Sequence, residues 1–279
     1  MKIMTSIFLG LVQGITEFLP ISSSGHLAIF QNFFNMENIE ESHLFFDVLL
    51  HLGTLISVCI VYRKDLMEMI RAVIGFFRPK ESQTRAEAGM QNPMFRLVIF
   101  IIVATLPLVI VLPFKSKIEM LSGSNLFIGL MLLLTGCILY VSDKLVIGKK
   151  TERKMTVRDA LLVGCSQAVA TLPGLSRSGV TITAGLCLGF TREFAVKFSF
   201  LISILSILGA NIVSLISAIG GGVEWSYMPI YLIGLVVAAV VGYFAIRLVK
   251  YMVDSDRFGK FAYYCWIVGV LVIILSFIL

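Results

Sequence analysis

The stretch QGITEFLPISSSGHL, residues 13–27, interrupts the first apolar segment of the chain with a carboxylate, a proline, three serines and a histidine. The surrounding segment, residues 3–34, is long enough to cross a hydrocarbon core, which takes about 20 apolar residues. Leu19-Pro20 breaks its helix because proline removes a backbone donor. Backbone that is not helical is tolerated at membrane depth only where protein buries it or where it lines a watery cavity. We therefore predict a re-entrant helix–loop–helix hairpin over residues 3–34.

The composition is typical of a protein embedded in a membrane. Of the 279 residues, 58% are hydrophobic and 14% are charged, and the mean hydropathy is +0.94. Ordinary soluble domains are less apolar and more charged. The net charge of +6 comes from basic residues concentrated in a few loops between apolar spans, and that pattern indicates orientation rather than nucleic-acid binding. We predict an all-α polytopic integral membrane protein that lies in the bilayer and binds no nucleic acid.

Six further apolar stretches are long enough, or nearly so, to cross the membrane as helices. They cover residues 43–62, 97–113, 125–142, 194–219, 229–248 and 261–279. A second interrupted segment, residues 157–190, is broken at Pro173-Gly174. The prediction is a single membrane domain over residues 1–279, with six full transmembrane helices and two re-entrant hairpins.

The basic loops predict how these segments are oriented. Residues 63–96 and 144–158 carry dense sets of lysine and arginine, and the positive-inside rule places both in the cytoplasm. The first hairpin then enters from the outer side and the second from the cytoplasm. Part of residues 65–77 is either an interfacial amphipathic helix or an ordinary solvated loop, and the sequence leaves both open.

The two broken segments are similar in sequence. Residues 13–27 align without a gap on residues 167–181. The identical pairs are Gln13 with Gln167, Ser22 with Ser176, Ser24 with Ser178, Gly25 with Gly179 and, just outside, Gly10 with Gly164. Similar segments that enter from opposite faces are typical of an inverted-topology repeat, whose binding site lies near the bilayer midplane. The predicted halves are residues 1–142 and 143–279.

The two copies differ in their reactive groups. Copy one holds Glu17 and His26, which suit acid–base chemistry, whereas copy two holds a fixed cation, Arg177. Gln13 and Glu17 are four residues apart and therefore share one helix face. A carboxylate at membrane depth is costly enough to be a functional hypothesis by default. For Gln13, interhelical hydrogen bonding is the alternative.

After each break, a serine-rich sequence opens a second half-helix. The residues are Ser22, Ser23, Ser24 and Gly25 in the first copy, and Ser176, Arg177, Ser178, Gly179 and Thr181 in the second. Free N–H groups and the helix dipole make such a terminus an anion site, and the planar fork of Arg177 matches phosphate oxygens. We predict that these residues bind phosphate, with helix capping as the alternative role for the serines.

Together these groups supply the parts needed for phosphoryl transfer: an anion cradle, a cation, a hydroxyl nucleophile, a base, and a carboxylate that could hold a divalent metal. His26 is the candidate acid/base group because histidine titrates near neutral pH, and a merely buried histidine is the alternative. A second polar stripe, His43, Asp47 and His51, is predicted to line the pocket mouth or to bind metal. A stripe that faces the bundle interior is the alternative there.

Three motifs resemble those of a known enzyme family. EFLPISSSGH at residues 17–26, PGLSRSGVT at 173–181 and FDVLLHLGT at 46–54 are similar to the BacA-type undecaprenyl-diphosphate phosphatases over essentially the whole chain. The resemblance implies a bacterial plasma-membrane enzyme that hydrolyses a polyprenyl diphosphate lipid, undecaprenyl diphosphate, to undecaprenyl phosphate and inorganic phosphate, helped by Mg²⁺ or Ca²⁺. It also implies recycling of the lipid carrier for peptidoglycan synthesis, bacitracin resistance, and a catalytic face open to the periplasmic or outer side.

The family's site residues carry over by position. Its acidic pair falls on Gln13 and Glu17, its serine pair on Ser22 and Ser23, its histidine on His26 and its arginine on Arg177. Gln13 departs from members with glutamate there, which puts a two-carboxylate metal site in doubt and leaves Glu17 with Gln13 as the metal candidates. The resemblance implies Ser23 as nucleophile or phosphate ligand, His26 as acid/base group, Glu17 as base or metal ligand, and Arg177 as phosphate clamp. The attacking group stays open between Ser23, His26 and a metal-bound water.

Two other functions are alternatives to a BacA-type phosphatase. Membrane phosphatases of the phosphatidic-acid phosphatase type require a second histidine after the arginine, and the chain has none beyond His51. A transporter or flippase of undecaprenyl phosphate is the alternative from another class, because inverted repeats with midplane sites are the architecture of secondary transporters. A homodimer is compatible with the sequence.

Overall fold

A computed structural model of the chain describes residues 2–34, 37–78, 85–145, 148–221 and 224–278, with all their side chains except those of residues 31, 34, 37–44, 85–86, 119 and 217–221. Within these ranges the secondary structure is helical, apart from one isolated bridge between Lys150 and Phe190. The helices are α1 Ile3–Thr16, α2 Ser23–Phe34, α3 Glu37–Val61, α4 Arg63–Phe77, α5 Arg85–Ala88, α6 Pro93–Val111, α7 Lys115–Ser122, α8 Asn125–Ser142, α9 Val157–Val169, α10 Arg177–Cys187, α11 Arg192–Gly221, α12 Met228–Asp254 and α13 Phe261–Ile278.

Five helical segments in the described part of the chain are long and apolar enough to cross a membrane. They are Pro93–Ile118, Asn125–Ser142, Arg192–Ile216, Trp225–Asp254 and Phe258–Ile278, and they correspond to five of the six predicted spans. The remaining prediction, residues 43–62, falls on α3, which meets the same criterion only together with α4. The chain bends by 80° between these two helices, so the described ranges contain five candidate spans, or six if the bent pair is one span.

The structure decides the question that the sequence left open for residues 65–77. They belong to α4, Arg63–Phe77, so the helix is confirmed and the solvated loop is wrong. The helix has one apolar face, because its exposed large apolar side chains recur at helical spacing. These are Met67, Ile70, Ile74 and Phe77.

Both interrupted segments break at the predicted positions. In the first, α1 ends at Thr16 and α2 begins at Ser23; in the second, α9 ends at Val169 and α10 begins at Arg177. Each second helix is capped by the predicted serine, because the Gly25 N–H donates to Ser22 Oγ at 3.2 Å and the Gly179 N–H donates to Ser176 Oγ at 3.1 Å.

Glycines allow the first helix of each segment to pack closely against a long helix of the other part of the chain. A Cβ on Gly10 of α1 would lie 2.7 Å from the Gly234 carbonyl oxygen of α12. A Cβ on Gly164 of α9 would lie 2.4 Å from the Ala104 carbonyl oxygen of α6. Small residues are the usual means by which membrane helices bring their backbones together. The aligned glycines thus make equivalent contacts, α1 on α12 and α9 on α6.

Gly164→Ala is expected to destabilise the fold by about 1–3 kcal/mol, because the added methyl group collides with the Ala104 backbone. That backbone is part of α6 and can shift only together with the helix. Gly209→Ala is the matched control, since a Cβ on that glycine of α11 would meet no atom within 4 Å. The control is expected to be neutral or to stabilise by up to about 1 kcal/mol, because alanine favours the helix over glycine. Thermal unfolding of the purified protein in detergent measures both. Equal melting temperatures for the two variants would contradict the close packing.

Candidate functional site

The loops that break the two segments lie directly against each other. A Cβ on Gly25 would be 3.0 Å from Gly174 Cα in the other loop, and a Cβ on Gly179 would be 3.2 Å from Pro20 Cβ. Each loop contains one residue with a positive φ near its turn, Ser22 at 71° and Gly174 at 92°. Glycine adopts this conformation readily, whereas for a serine it costs on the order of 1–3 kcal/mol and is concentrated at functional sites. The capped starts of α2 and α10 therefore converge, as predicted.

Helices α8 and α13 satisfy the backbone of the two loops. Thr135 Oγ1 of α8 donates to the Gly174 carbonyl oxygen at 3.0 Å and accepts from the Ser176 N–H at 3.2 Å. The Cys265 thiol of α13 lies 3.7 Å from the Pro20 carbonyl oxygen. Because protein groups replace water here, irregular backbone can persist inside an apolar bundle.

Glu17 is the centre of the site. Its carboxylate is paired with the Arg177 guanidinium, and Oε2 accepts from Ser23 Oγ at 2.9 Å and from Gln13 Nε2 at 3.1 Å. Glu17 is 7% exposed, so its negative charge depends on these partners. The predicted reactive groups Glu17, Ser23 and Arg177 are thus brought together, although Glu17 and Arg177 are far apart in sequence.

Arg177 is also held by Ser206, which in turn contacts Gln167, and the sequence assigned no role to either residue. Its Nη1 donates to Ser206 Oγ at 3.0 Å, and Ser206 Oγ lies 3.4 Å from Gln167 Oε1. The alignment of Gln167 with Gln13 is the signal that could have drawn attention to Gln167. Ser206 has no such signal, because an isolated serine in an apolar span usually bonds its own helix.

His26 is held between the first loop and α13. Its Nδ1 lies 2.8 Å from the Ser22 carbonyl oxygen and its Nε2 lies 2.8 Å from the Tyr264 hydroxyl. A carbonyl oxygen can only accept, so Nδ1 carries a proton, and in the neutral ring Nε2 accepts from Tyr264. The two rings stack with 5.7 Å between centroids. Tyr264 was not predicted, because nothing in an apolar terminal helix indicates which tyrosine reaches the site.

Ser23 and His26 have different hydrogen-bond partners within the described residues. Ser23 bonds Glu17, whereas the hydrogen-bond partners of His26 are Ser22 and Tyr264. Of the two bases predicted for Ser23, the carboxylate is therefore the one in contact with its hydroxyl.

The remaining predicted phosphate ligands surround this centre. Ser178 Oγ lies 3.4 Å from the Leu19 carbonyl oxygen, and Ser24, which is exposed, has its Oγ 3.4 Å from that of Ser22. Thr181 Oγ1 donates to the Arg177 carbonyl oxygen at 2.8 Å and lies 2.6 Å from Ser199 Oγ of α11. The bonds of Ser178 and Thr181 fix the start of α10, whereas that of Ser24 lies at the start of α2. Phosphate contacts of the three side chains stay predictions.

The second polar stripe lies beside the site. His51 Nδ1 is 3.0 Å from the Asp47 carbonyl oxygen and 3.5 Å from its carboxylate, and His51 is near enough to Glu17 and Arg177 to interact with both charges. The side chains of Asp47 and His51 are partly exposed, which fits a pocket lining. The side chain of His43 lies outside the described residues.

The donor set for a divalent cation is small. No group of three or more His, Cys, Asp or Glu side chains in the described ranges is arranged to hold a metal. Glu17 is the carboxylate at the centre, and the adjacent Gln13 Oε1 is buried and has no hydrogen-bond partner among the described groups. A Mg²⁺ site commonly uses one carboxylate, other oxygens and the substrate phosphates, so these two residues fit a cation shared with a substrate.

Known proteins resemble this chain over its whole length. The sequence profile of the family described as bacitracin resistance protein BacA matches residues 6–271. A protein of Methanobrevibacter smithii named undecaprenyl-diphosphatase is 41% identical over 274 residues, which cover 98% of this chain and 97% of that protein. One of Halothermothrix orenii with the same name is 41% identical over 277 residues, 99% of each chain. One of Carboxydothermus hydrogenoformans, again so named, is 38% identical over 278 residues, 97% of this chain and 96% of that protein.

All residues of the site described above lie within the part of the chain that the family profile matches, residues 6–271. The chain belongs to the BacA family of bacitracin resistance proteins.

Proposed function

We propose that this membrane protein hydrolyses undecaprenyl diphosphate to undecaprenyl phosphate and inorganic phosphate, which recycles the lipid carrier of peptidoglycan synthesis and confers bacitracin resistance. The names of its full-length relatives support the substrate. The observation that carries the chemistry is that one carboxylate, Glu17, contacts both a hydroxyl nucleophile and the arginine suited to a phosphate.

The contacts suggest a reaction in two steps. Arg177 exchanges Glu17 for the oxygens of the terminal phosphate and neutralises the charge that develops there. Glu17 accepts the proton of Ser23, whose Oγ forms a bond to the terminal phosphorus while the bridging P–O bond breaks and undecaprenyl phosphate leaves. Water then cleaves the phosphoserine and releases inorganic phosphate. In this scheme His26, oriented by Tyr264, serves proton transfer to or from the reacting oxygens.

The proposed topology places this chemistry in the interior of an inverted repeat. The halves are residues 1–142 and 143–279, and the broken segments 3–34 and 157–190 are the re-entrant hairpins. Three observations support it: the equivalent serine caps, the contact between the two loops, and the matching packing of Gly10 and Gly164. The basic loops support a plasma-membrane orientation in which the site opens to the periplasmic or outer side. A homodimer stays a prediction.

A divalent cation, Mg²⁺ or Ca²⁺, is proposed as the cofactor, held by Glu17 and Gln13 together with the substrate. When bound, it would neutralise diphosphate charge. Gln13→Glu is expected to lower the cation concentration for half-maximal phosphate release by about tenfold, because a second carboxylate adds charge to the same oxygen set. The measurement is a cation titration after EDTA treatment. Activity that is insensitive to EDTA, or a variant that needs as much cation as wild type, would count against this site.

The function itself is tested by phosphate release from undecaprenyl diphosphate, with purified protein in detergent micelles. Wild type is expected to be active, and Ser23→Ala, His26→Ala, Glu17→Gln and Arg177→Ala strongly impaired. Equal release from all five proteins would refute the assigned site. A transporter of undecaprenyl phosphate would instead release no phosphate as wild type and would move the lipid between leaflets even as Ser23→Ala.

Tyr264→Phe is expected to reduce kcat about fivefold to tenfold with KM nearly unchanged, because it removes one hydrogen bond that orients His26 but keeps the stacked ring. Tyr263→Phe on the same helix is the control, since its ring packs on Trp266 instead. Steady-state kinetics of phosphate release give kcat and KM for both variants. If the two variants behave alike, Tyr264 does not position His26.

A further inference from the structure

A basic cavity lies outside the proposed active site, at the bend between α3 and α4. Its volume is about 470 Å³, and residues of α12 form its other wall. The polar side chains that line it are Arg63, Lys64, Asp65, Tyr243, Arg247 and Lys250. A volume of this size accommodates a small ligand or a lipid headgroup.

The cavity has an excess of positive charge. Its one acidic side chain, Asp65, is already paired with Lys197 of α11. No acidic side chain in the described ranges pairs with Arg63, Lys64, Arg247 or Lys250. Four cations that form no ion pair with a described residue, around one cavity, favour an anion with more than one hydrogen-bond acceptor oxygen.

Aromatic rings and a helix start add to this preference. The Arg247 guanidinium lies 5.8 Å from the centre of the Tyr243 ring, and Lys250 Nζ lies 5.3 Å from that of Tyr62. These contacts hold the two cations at the wall without neutralising them. Helix α4 starts here without a side-chain cap, so its N-terminal dipole also favours a negative charge.

The apolar surroundings indicate that the anion belongs to a lipid. On α12, Phe244, Leu248 and Tyr251 form an exposed stripe next to the basic stripe Tyr243, Arg247 and Lys250. The first turn of α4 lines the cavity, and the exposed apolar face of this helix, which leaves α3 at 80°, begins in the next turn. A headgroup in the cavity would therefore have apolar surface for its acyl chains on both sides, as at a membrane interface.

We propose that this cavity binds the phosphate headgroup of an anionic phospholipid, at the cytoplasmic boundary of the membrane. The proposal does not depend on the activity of the site around Glu17. It assigns the bend between α3 and α4 a role: the bend lays an amphipathic helix along the interface and opens the cavity beside its first turn.

Native mass spectrometry of the purified protein tests the proposal with phosphatidylglycerol, phosphatidylcholine or glycerol phosphate added. Wild type is expected to retain phosphatidylglycerol and to lose the other two. Arg247→Gln with Lys250→Gln is expected to weaken phosphatidylglycerol retention about tenfold, because each basic residue near a membrane contributes to anionic-lipid binding. The charge-preserving pair Arg247→Lys with Lys250→Arg is expected to retain it.

Lys149→Gln with Lys154→Gln is the matched control, because both lysines are exposed in another basic loop and the charge change is the same. It is expected to bind phosphatidylglycerol as wild type does. Equal weakening in both double variants, or equal retention of phosphatidylcholine, would overturn the proposal. Retention of glycerol phosphate as strong as that of the lipid would also overturn it, in favour of a soluble anion. Melting temperatures of all variants verify that they are folded.

Discussion

Arg177→Ala is expected to lower kcat/KM for phosphate release by about a thousandfold, the effect of removing a positioned cation from a phosphoryl-transfer site. Arg177→Lys is expected to recover little of this loss, because one ammonium group cannot contact two phosphate oxygens in the planar geometry of a guanidinium and also replace the bond from Arg177 Nη1 to Ser206. Steady-state assays with undecaprenyl diphosphate in detergent measure both variants.

Two controls separate catalysis from folding. Arg192→Ala also removes an arginine that is paired with a carboxylate, that of Asp256, but outside the site, and its activity per folded protein is expected to match wild type. Arg177→Ala leaves Glu17 as a buried charge without its cation, so adding Glu17→Gln is expected to restore stability but not activity. If Arg177→Ala and Arg192→Ala lost activity equally, the role of Arg177 as phosphate clamp would be wrong.

Glu17→Gln is expected to slow phosphate release by about a hundredfold to ten-thousandfold, the range for loss of a general base. The amide keeps the shape of the carboxylate and can still accept the bond from Ser23, but it cannot take up the proton. It also removes the charge that orients Arg177 in the free site. The loss is therefore expected mainly in kcat, with a smaller change in KM.

Glu193→Gln provides the comparison, because Glu193 is an exposed carboxylate in the first turn of α11. It is expected to have wild-type kinetics. If Glu17→Gln retained more than about a third of the wild-type kcat, the loss would be too small for removal of a general base. Another group would then have that role. Since the Tyr264 hydroxyl holds His26, an activity that then depended on His26 and Tyr264 would identify the histidine as that group.

The breaks in the first and second apolar segments could be predicted because their causes are local. Proline at residue 20 and Pro173-Gly174 cannot continue a helix, and the serines that follow are favourable caps wherever a helix begins. The bend that follows residues 43–62 could not be predicted, because its cause is not local. Hydropathy measures how long residues 43–62 stay apolar, but not that the chain turns by 80° after Val61, because the turn follows from packing against α12 and α6 rather than from composition.

The sequence by itself determined the helical membrane class, the two serine-capped breaks and the identity of the reactive groups, because hydropathy, proline chemistry and motif residues are properties of short stretches. Only the tertiary structure decided which groups meet: Glu17 with Arg177 and His26 with Tyr264 come from helices distant in the chain. It also decided that Ser206 supports the arginine and that four cations line the cavity at the bend between α3 and α4. In a bundle whose helices are apolar on most faces, periodicity does not specify which faces touch, so side-chain packing between helices makes that choice.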